Sequence, residues 1–183
     1  RLMEKLQNHS GRDTVRVLRP ADVNETTLCW KMAMENMDTP TALILSRQNI
    51  ANLPEGTAYE GVKRGAYNVV GDAQAEVVLV ASGSEVSTLV AARELLTADG
   101  IKSRVVSCPS EQLFRAQDEA YREGVIPQNG KKFFLTAGLP VVFEGMAGSE
   151  GRVFGLTHFG HSAPFTVLDE KFGFTPEAVY GEI

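Results

Sequence analysis

The sequence contains little cysteine and little histidine. Its two cysteines, Cys29 and Cys108, are far apart and have no metal-binding spacing, which favours two reduced, packed thiols over a disulfide framework. Such cysteine use is typical of the cytosol, so we expect a cytoplasmic protein. The three histidines form no H-x-x-x-H or H-x-x-E-H pattern. We therefore predict no metal site in this chain.

Excess positive charge and long apolar runs are also absent. The chain has 18 basic and 23 acidic residues, a net charge of −5, which argues against nucleic acid or an anionic membrane as a partner. No apolar run approaches the roughly 20 residues of a membrane-spanning helix, and no apolar signal region opens the sequence. With 43% hydrophobic residues, the 183-residue chain can form a packed core in one large or two small domains. The chain begins at Arg1 without an initiator Met, which predicts a piece of a longer protein.

The first part of the chain has a strand, helix, strand pattern. A strand at residues 15–18 precedes a helix that Asp22 and Glu25 can begin with a capping box. The residues at helical spacing, which we expect to be buried, are Trp30, Ala33, Met34 and Met37. Residues 41–45 form the next predicted strand. This unit has the length that a parallel crossover needs.

The remainder of the chain predicts a second, complete α/β domain. Residues 51–65 lack periodicity and carry the turn formers Pro54, Gly56, Gly61 and Gly65, so they are predicted to form a linker. After it we predict strands at residues 66–70, 75–82, 102–108, 131–138 and 152–160, and helices at residues 84–98, 110–123, 141–147 and 164–172. The alternation predicts an α/β fold, an open, mostly parallel twisted sheet with helices on both faces, preceded by a partial α/β segment.

Two features at strand ends are weak candidates for binding or catalysis. Gly83 and Ser84 lie where a central strand leads into a helix, and backbone N–H groups there can hold an anion. They match neither G-x-G-x-x-G nor the P-loop motif, so a tight turn with Ser84 as helix cap is the simpler interpretation. His158 and His161 flank the FG dipeptide at the end of the last predicted strand, the end of an α/β sheet where ligands bind. They could transfer protons, although surface loop histidines are the simpler interpretation.

Arg47 is the strongest candidate. In the stretch TALILSRQNI, residues 41–50, it follows the predicted buried strand at its carboxyl end. A charge there needs water or a fixed partner, and the planar guanidinium suits a phosphate or carboxylate. The residues alone leave two interpretations open, an anion-binding site or an ion pair with a neighbouring acidic side chain.

Several stretches together resemble the C-terminal part of a transketolase. They are LRPADVNET, PTALILSRQN, ASGSEV, SRVVSCPS and FGHSAPFTVLDEKFGFTPEAV, in the family's order and spacing. By this resemblance, residues 1–50 are the tail of the pyrimidine-binding domain, residues 51–65 a linker, and residues 66–183 the transketolase C-terminal domain. The SRQ motif is the most specific of these, and its arginine, Arg47 here, would bind the phosphate of the sugar substrate.

The resemblance also implies a reaction. Transketolases transfer a two-carbon ketol unit between phosphorylated ketose and aldose sugars in the pentose phosphate pathway, using thiamine diphosphate and Mg²⁺, and they act as homodimers. The residues that bind the cofactors and the catalytic residues would lie mainly upstream of Arg1. We therefore expect no catalytic residue and no activity in this chain alone, which would contribute Arg47 and structural or dimer contacts.

Other functions remain open at this stage. His161 lies where relatives often have a small or acidic residue, and residues 1–14 form a long opening before the RPAD stretch, which leaves room for a dihydroxyacetone synthase-like sister enzyme. A 1-deoxyxylulose-phosphate synthase fits the SRQ and GFTPEAV stretches less well. The C-terminal domain could instead be a regulatory module that binds an anion or a nucleotide at Gly83 and Ser84, or a purely structural module for subunit assembly.

Overall fold

The computed structural model describes residues 14–54, 59–72 and 74–183. Its strands are β1 Arg16–Leu18, β2 Thr41–Leu43, β3 Tyr67–Gly71, β4 Val77–Ala81, β5 Ser103–Ser107, β6 Lys131–Thr136 and β7 Gly151–Gly155. Its helices are α1 Val23–Glu35, α2 Tyr59–Lys63, α3 Glu85–Ala98, α4 Glu111–Arg115, α5 Glu119–Val125, α6 Phe165–Phe172 and α7 Pro176–Glu182, with a 3-10 helix at Pro140–Val142.

The strands form two sheets. β1 and β2 pair in parallel over three residue pairs, from Arg16 with Thr41 to Leu18 with Leu43. The larger sheet has the order β3-β5-β4-β6-β7, in which β3 is antiparallel to β5 and the other pairs are parallel. Helical crossovers between parallel strands are the arrangement of an α/β domain. The predicted fold, an open, mostly parallel sheet preceded by a partial α/β segment, is confirmed.

Apolar clusters cover both faces of the larger sheet. Leu79 of β4 lies in one cluster with Leu89 of α3, whereas its neighbour Val80 lies in a second cluster with Phe114 of α4. Successive side chains of a strand point to opposite faces of the sheet, so β4 is buried on both sides. This explains why its sequence is an uninterrupted apolar run rather than an alternation of apolar and polar residues.

Helix α1 begins at the predicted cap. The Asp22 carboxylate accepts a hydrogen bond from Glu25 N at 2.8 Å, as an N-cap residue does. The Glu25 carboxylate accepts from Ala21 N at 2.7 Å, one residue before the cap, rather than from the N–H of the cap itself. The capping box is therefore present in a form displaced by one residue.

The predicted buried face of α1 is wrong. The helix buries Cys29 and Met32 instead. The residues that we expected in the core are half-buried or exposed: Ala33, Trp30, Met34 and Met37. Their spacing identified a real apolar stripe, and the described residues leave that stripe largely uncovered.

The segment at residues 51–65 has more structure than a linker needs. Within its described part, α2 forms a short helix, and Leu53 and Val62 are buried. Residues 1–13 and 55–58 lie outside the described residues, Gly56 among them. The domain boundaries at residues 50 and 66 stay predictions.

Four later elements differ from the sequence-based expectation. The helix predicted at residues 141–147 is a short 3-10 helix at Pro140–Val142 followed by turns. The single helix predicted at residues 110–123 is two helices, because Asp118 begins α5 by accepting a hydrogen bond from Tyr121 N at 2.9 Å. The last strand, β7, ends at Gly155, so residues 156–160 form a loop. Helix α7 was not predicted, although Thr175 as cap and Pro176 at the first position are typical start signals.

Candidate functional site

The SRQN segment, residues 46–49, follows β2 at its carboxyl end. β2 ends at Leu43, and Ile44 N donates to Leu18 O at 2.9 Å, which extends the pairing with β1 by one bond. β2 itself is half-buried, and Leu45 and Arg47 are exposed. The prediction that Arg47 directly follows a buried strand is therefore wrong.

Arg47 has no partner in residues 14–54, 59–72 and 74–183: it makes neither a hydrogen bond nor an ion pair there. The ion pair that the sequence left open is thus not formed within that part of the chain. Beside it, the Ser46 hydroxyl accepts a hydrogen bond from Gln48 N at 3.2 Å, which closes a local turn. Within the described residues, no group accepts a hydrogen bond from the Arg47 guanidinium, which carries five N–H donors.

A cleft of about 530 Å³ separates the SRQN segment from the carboxyl edge of the larger sheet. Ser46, Gln48 and Asn49 line one side, while Arg47 itself is not among the lining residues. The other side includes the start of α3 and three aromatic side chains, Phe165 and Phe172 of α6 and Phe174 just after it. The cleft therefore lies where ligands bind in parallel α/β sheets, beyond the carboxyl ends of the strands.

Arg19 is a residue of this cleft that the sequence reasoning missed. It follows β1 directly, and its side chain forms an ion pair with Glu85 of α3. Its Nη1 also donates to the Ser82 carbonyl, and to the Ser82 hydroxyl at 3.1 Å. A charged residue immediately after a strand was the available signal, and the same reasoning that selected Arg47 would have found it.

The Gly83 turn is packed against Arg19. Gly83 has φ +66°, and a Cβ added there would lie 2.7 Å from Arg19 Cζ. The interpretation of Ser84 as a capping residue is wrong, because its hydroxyl makes no cap hydrogen bond and donates to a carboxylate oxygen of Glu85 at 3.0 Å. Anion binding at Gly83 and Ser84 stays a prediction.

Carboxylate side chains lie close to the Arg19 guanidinium in the cleft. Glu85, whose side chain is 7% exposed, is paired with Arg19. Asp169 of α6 lies nearby, and burial, with a smaller contribution from the charge of Glu85, raises the pKa of the Asp169 carboxyl. The interior of the cleft is consequently less suited to an anion than the exposed guanidinium of Arg47.

A buried carboxyl joins the first part of the chain to the larger sheet. Glu25 of α1 is fully buried and accepts a hydrogen bond from Tyr67 Oη of β3 at 2.8 Å. Burial raises the pKa of Glu25, with a further small rise from the charge of Asp22. Asp22 also accepts from Leu53 N at 3.1 Å. These bonds fix the start of α1 against β3 of the larger sheet and against the segment after β2.

The two loop histidines surround an aromatic side chain. The rings of His158 and His161 lie 5.2 and 5.5 Å from that of Phe172, measured between centroids. His158 Nδ1 lies 2.8 Å from the Phe159 carbonyl, to which it donates when that nitrogen is protonated. Both imidazoles are exposed on the loop after β7. This placement gives neither ring a partner for proton transfer within the described loop.

The described residues contain no group of three or more His, Cys, Asp or Glu side chains that could hold a metal ion. Cys29 and Cys108 are free and buried. Among the described helices, none is both long enough and apolar enough to cross a membrane.

Fold and cleft together define an α/β domain whose strand ends face a cleft, joined to a short parallel strand pair that is followed by an exposed arginine. Comparison with known proteins identifies the group. Residues 65–175 match the family model described as the transketolase-like C-terminal domain. This chain belongs to the transketolase family, and the matched residues form its C-terminal domain.

Individual relatives agree with this assignment. The chain is 40% identical over 185 residues to a transketolase of Staphylococcus aureus strain MW2, covering 99% of this chain and 28% of that protein. It is 46% identical over 165 residues to transketolase 1 of Vibrio parahaemolyticus, covering 88% of this chain and 25% of that protein. A crystal structure of a Pichia stipitis transketolase with sedoheptulose 7-phosphate matches at a TM-score of 0.85 and 36% identity, covering 98% of this chain and 26% of that one. The chain thus spans about a quarter of the length of the relatives it matches.

Proposed function

We propose that this chain is the C-terminal portion of a transketolase, and that its contribution to ketol transfer is to bind the phosphate of the sugar substrate through Arg47. The observation that carries the proposal is the exposed Arg47 on the SRQN segment, which has no hydrogen-bond or ion-pair partner among the described residues and lies beside the carboxyl ends of a parallel strand pair. The family assignment and the sugar phosphate bound by the Pichia stipitis relative support it.

Arg47 acts at a distance from the reacting carbon. The phosphate is the part of a sugar phosphate that does not react, so a charge-assisted hydrogen bond there converts binding energy into correct placement of the carbonyl. The fork of Arg47 offers two parallel N–H donors to two phosphate oxygens, which fixes orientation as well as position. Arg47 is therefore a substrate-binding residue, and it takes no part in bond breaking.

The rest of the proposed enzyme supplies the chemistry. Thiamine diphosphate with Mg²⁺ would supply the electron sink for ketol transfer when bound. We place the residues that bind it, and the catalytic residues, in the part of a transketolase that this chain does not span. The complete protein would work as a cytoplasmic homodimer in the pentose phosphate pathway, and this chain alone would be inactive.

Kinetics of Arg47→Gln in a complete transketolase carrying this segment test the proposal. Loss of a charge-assisted hydrogen bond of about 1.5–3 kcal/mol should lower kcat/KM for xylulose 5-phosphate about ten- to hundredfold. The loss should appear chiefly as a raised KM. With an unphosphorylated ketose as donor, kcat/KM should change less than about twofold, because no phosphate contact is lost.

Arg64→Gln is a matched control. Arg64 is also an exposed arginine, and its guanidinium lies over the Tyr121 ring at 4.5 Å, outside the cleft. Its replacement should leave the KM for xylulose 5-phosphate unchanged. An Arg47→Gln enzyme with normal KM for the phosphorylated donor, or one equally impaired with both donors, would contradict the phosphate-binding role.

A further inference from the structure

We propose that Arg19 is a positioning residue for the SRQN segment, with Glu85 of α3 as its anchor. The inference rests on the proposed function, since it concerns how Arg47 is held where it meets a sugar phosphate. In this view the C-terminal domain serves substrate binding by fixing the strand pair that carries Arg47, without touching the substrate itself.

The backbone of Arg19 is held by the second domain on both sides. Arg19 N donates to Pro109 O at 2.8 Å, and Arg19 O accepts from Gly83 N at 3.1 Å. Pro109 follows β5 and Gly83 follows β4, so the residue after β1 is attached to the carboxyl ends of two central strands of the larger sheet. Its position is thereby tied to the most buried part of the molecule.

The side chain of Arg19 adds a charged contact at the same edge. Its side chain is 24% exposed and that of Glu85 7%, so the ion pair is largely removed from water. Arg19 Nη1 further donates to the Ser82 hydroxyl at 3.1 Å. Removing one partner of such a pair leaves the other charge buried without compensation, which is strongly unfavourable. The local structure would shift to rehydrate it.

A shift at Arg19 reaches the SRQN segment through one short connection. Leu18, the residue before Arg19, accepts the hydrogen bond from Ile44 N at 2.9 Å, and Ile44 and Leu45 lead directly into Ser46. β1 and β2 have three residues each, so the pair has little pairing of its own to resist displacement. Arg19 and Glu85 line the cleft opposite Ser46, Gln48 and Asn49.

The test compares Glu85→Gln with wild type in the complete enzyme. Glutamine keeps the size of the side chain and removes the charge. If Arg19 positions the segment, the KM for xylulose 5-phosphate should rise about three- to tenfold, a part of the ten- to hundredfold effect of losing the phosphate contact itself. The kcat should stay within about twofold, and the KM for an unphosphorylated ketose should change less than about twofold.

Glu111→Gln is the matched control. Glu111 forms an ion pair with Arg115 at 2.6 Å within α4, and neither residue lines the cleft. The same substitution there should leave both KM values unchanged. Equal KM increases in Glu85→Gln and Glu111→Gln would overturn the inference, since the effect would then reflect general loosening of the domain.

A second variant covers the case in which Glu85→Gln does not fold. Ser82→Ala removes only the 3.1 Å hydrogen bond to Arg19 and should raise the KM for the phosphorylated donor about two- to threefold. An unchanged KM in Ser82→Ala, or a lowered kcat at unchanged KM in either variant, would overturn the positioning role. Kinetics of Arg47→Gln distinguish failure of this inference from failure of the proposed function. A normal KM for xylulose 5-phosphate in Arg47→Gln would contradict phosphate binding by Arg47. A raised KM in Arg47→Gln together with normal kinetics in Glu85→Gln and Ser82→Ala would contradict only the role of Arg19.

Discussion

The buried carboxyl of Glu25 should make the stability of this chain depend on pH. Glu25 is fully buried, and burial raises its pKa above that of a glutamate in an unfolded chain, about 4.3. Below this pH the carboxyl is protonated in both states. As the pH rises, the unfolded chain releases its proton first, so the free energy of unfolding falls until the pH passes the folded pKa.

The substitution Glu25→Gln isolates this effect, because glutamine cannot ionise. The contribution of one titrating group is at most about 1.4 kcal/mol per pH unit between the unfolded and folded pKa values. The difference in unfolding free energy, variant minus wild type, should therefore rise with pH from about pH 4.3 and then level off. The variant is also less stable than wild type by an amount that does not depend on pH. The glutamine amide cannot accept hydrogen bonds from both Ala21 N and Tyr67 Oη as the two carboxylate oxygens do.

Equilibrium urea unfolding, followed by far-UV circular dichroism at several pH values between 4 and 8, measures this difference. Glu94→Gln on the exposed face of α3 is the control for the loss of one carboxyl at the surface. A flat difference for Glu25→Gln over the whole range, or one that falls with rising pH, would refute the assignment of a raised pKa to this carboxyl.

Two further outcomes follow from burial and backbone geometry. Because burial raises the pKa of the Cys29 thiol to about 12, and also raises that of Cys108, neither thiol should react with Ellman's reagent in the folded chain. Both should react in urea, and fast reaction of the folded chain would contradict the buried placement. Gly83→Ala should lower the free energy of unfolding by about 1–3 kcal/mol, because it combines a positive φ with a Cβ too close to Arg19. Ser84→Ala is the control, because the Ser84 side chain makes no cap hydrogen bond. Equal denaturation midpoints for Gly83→Ala and Ser84→Ala would contradict this prediction.

The sheet could be predicted because its strands carry their own signal. Residues 77–81 form a continuous apolar run, which is typical of a strand covered on both faces, and β4 occupies them. The face of α1 could not be predicted in the same way. Periodicity locates an apolar stripe, but the residues that cover it are set by tertiary packing, and here Cys29 and Met32 are buried while Trp30 is not.

Of the two arginines at the candidate site, one could be predicted from the sequence and the other could not. Arg47 was accessible to sequence reasoning because it belongs to a recognisable motif, although its strand is shorter and more exposed than its apolar sequence suggested. The partnership of Arg19 with Glu85 was not accessible, because the two residues are 66 positions apart. Only the packing of β1 onto the larger sheet brings them together.

The exposed stripe of α1 gives the molecule an optical probe of its own assembly. Trp30 is the single tryptophan of the sequence, and 53% of it is accessible to water on that stripe. Indole emission shifts to shorter wavelength when water is excluded from the ring. Any protein segment or subunit that packs on this stripe of α1 would thus shift the Trp30 emission to shorter wavelength, which can be measured without an added label.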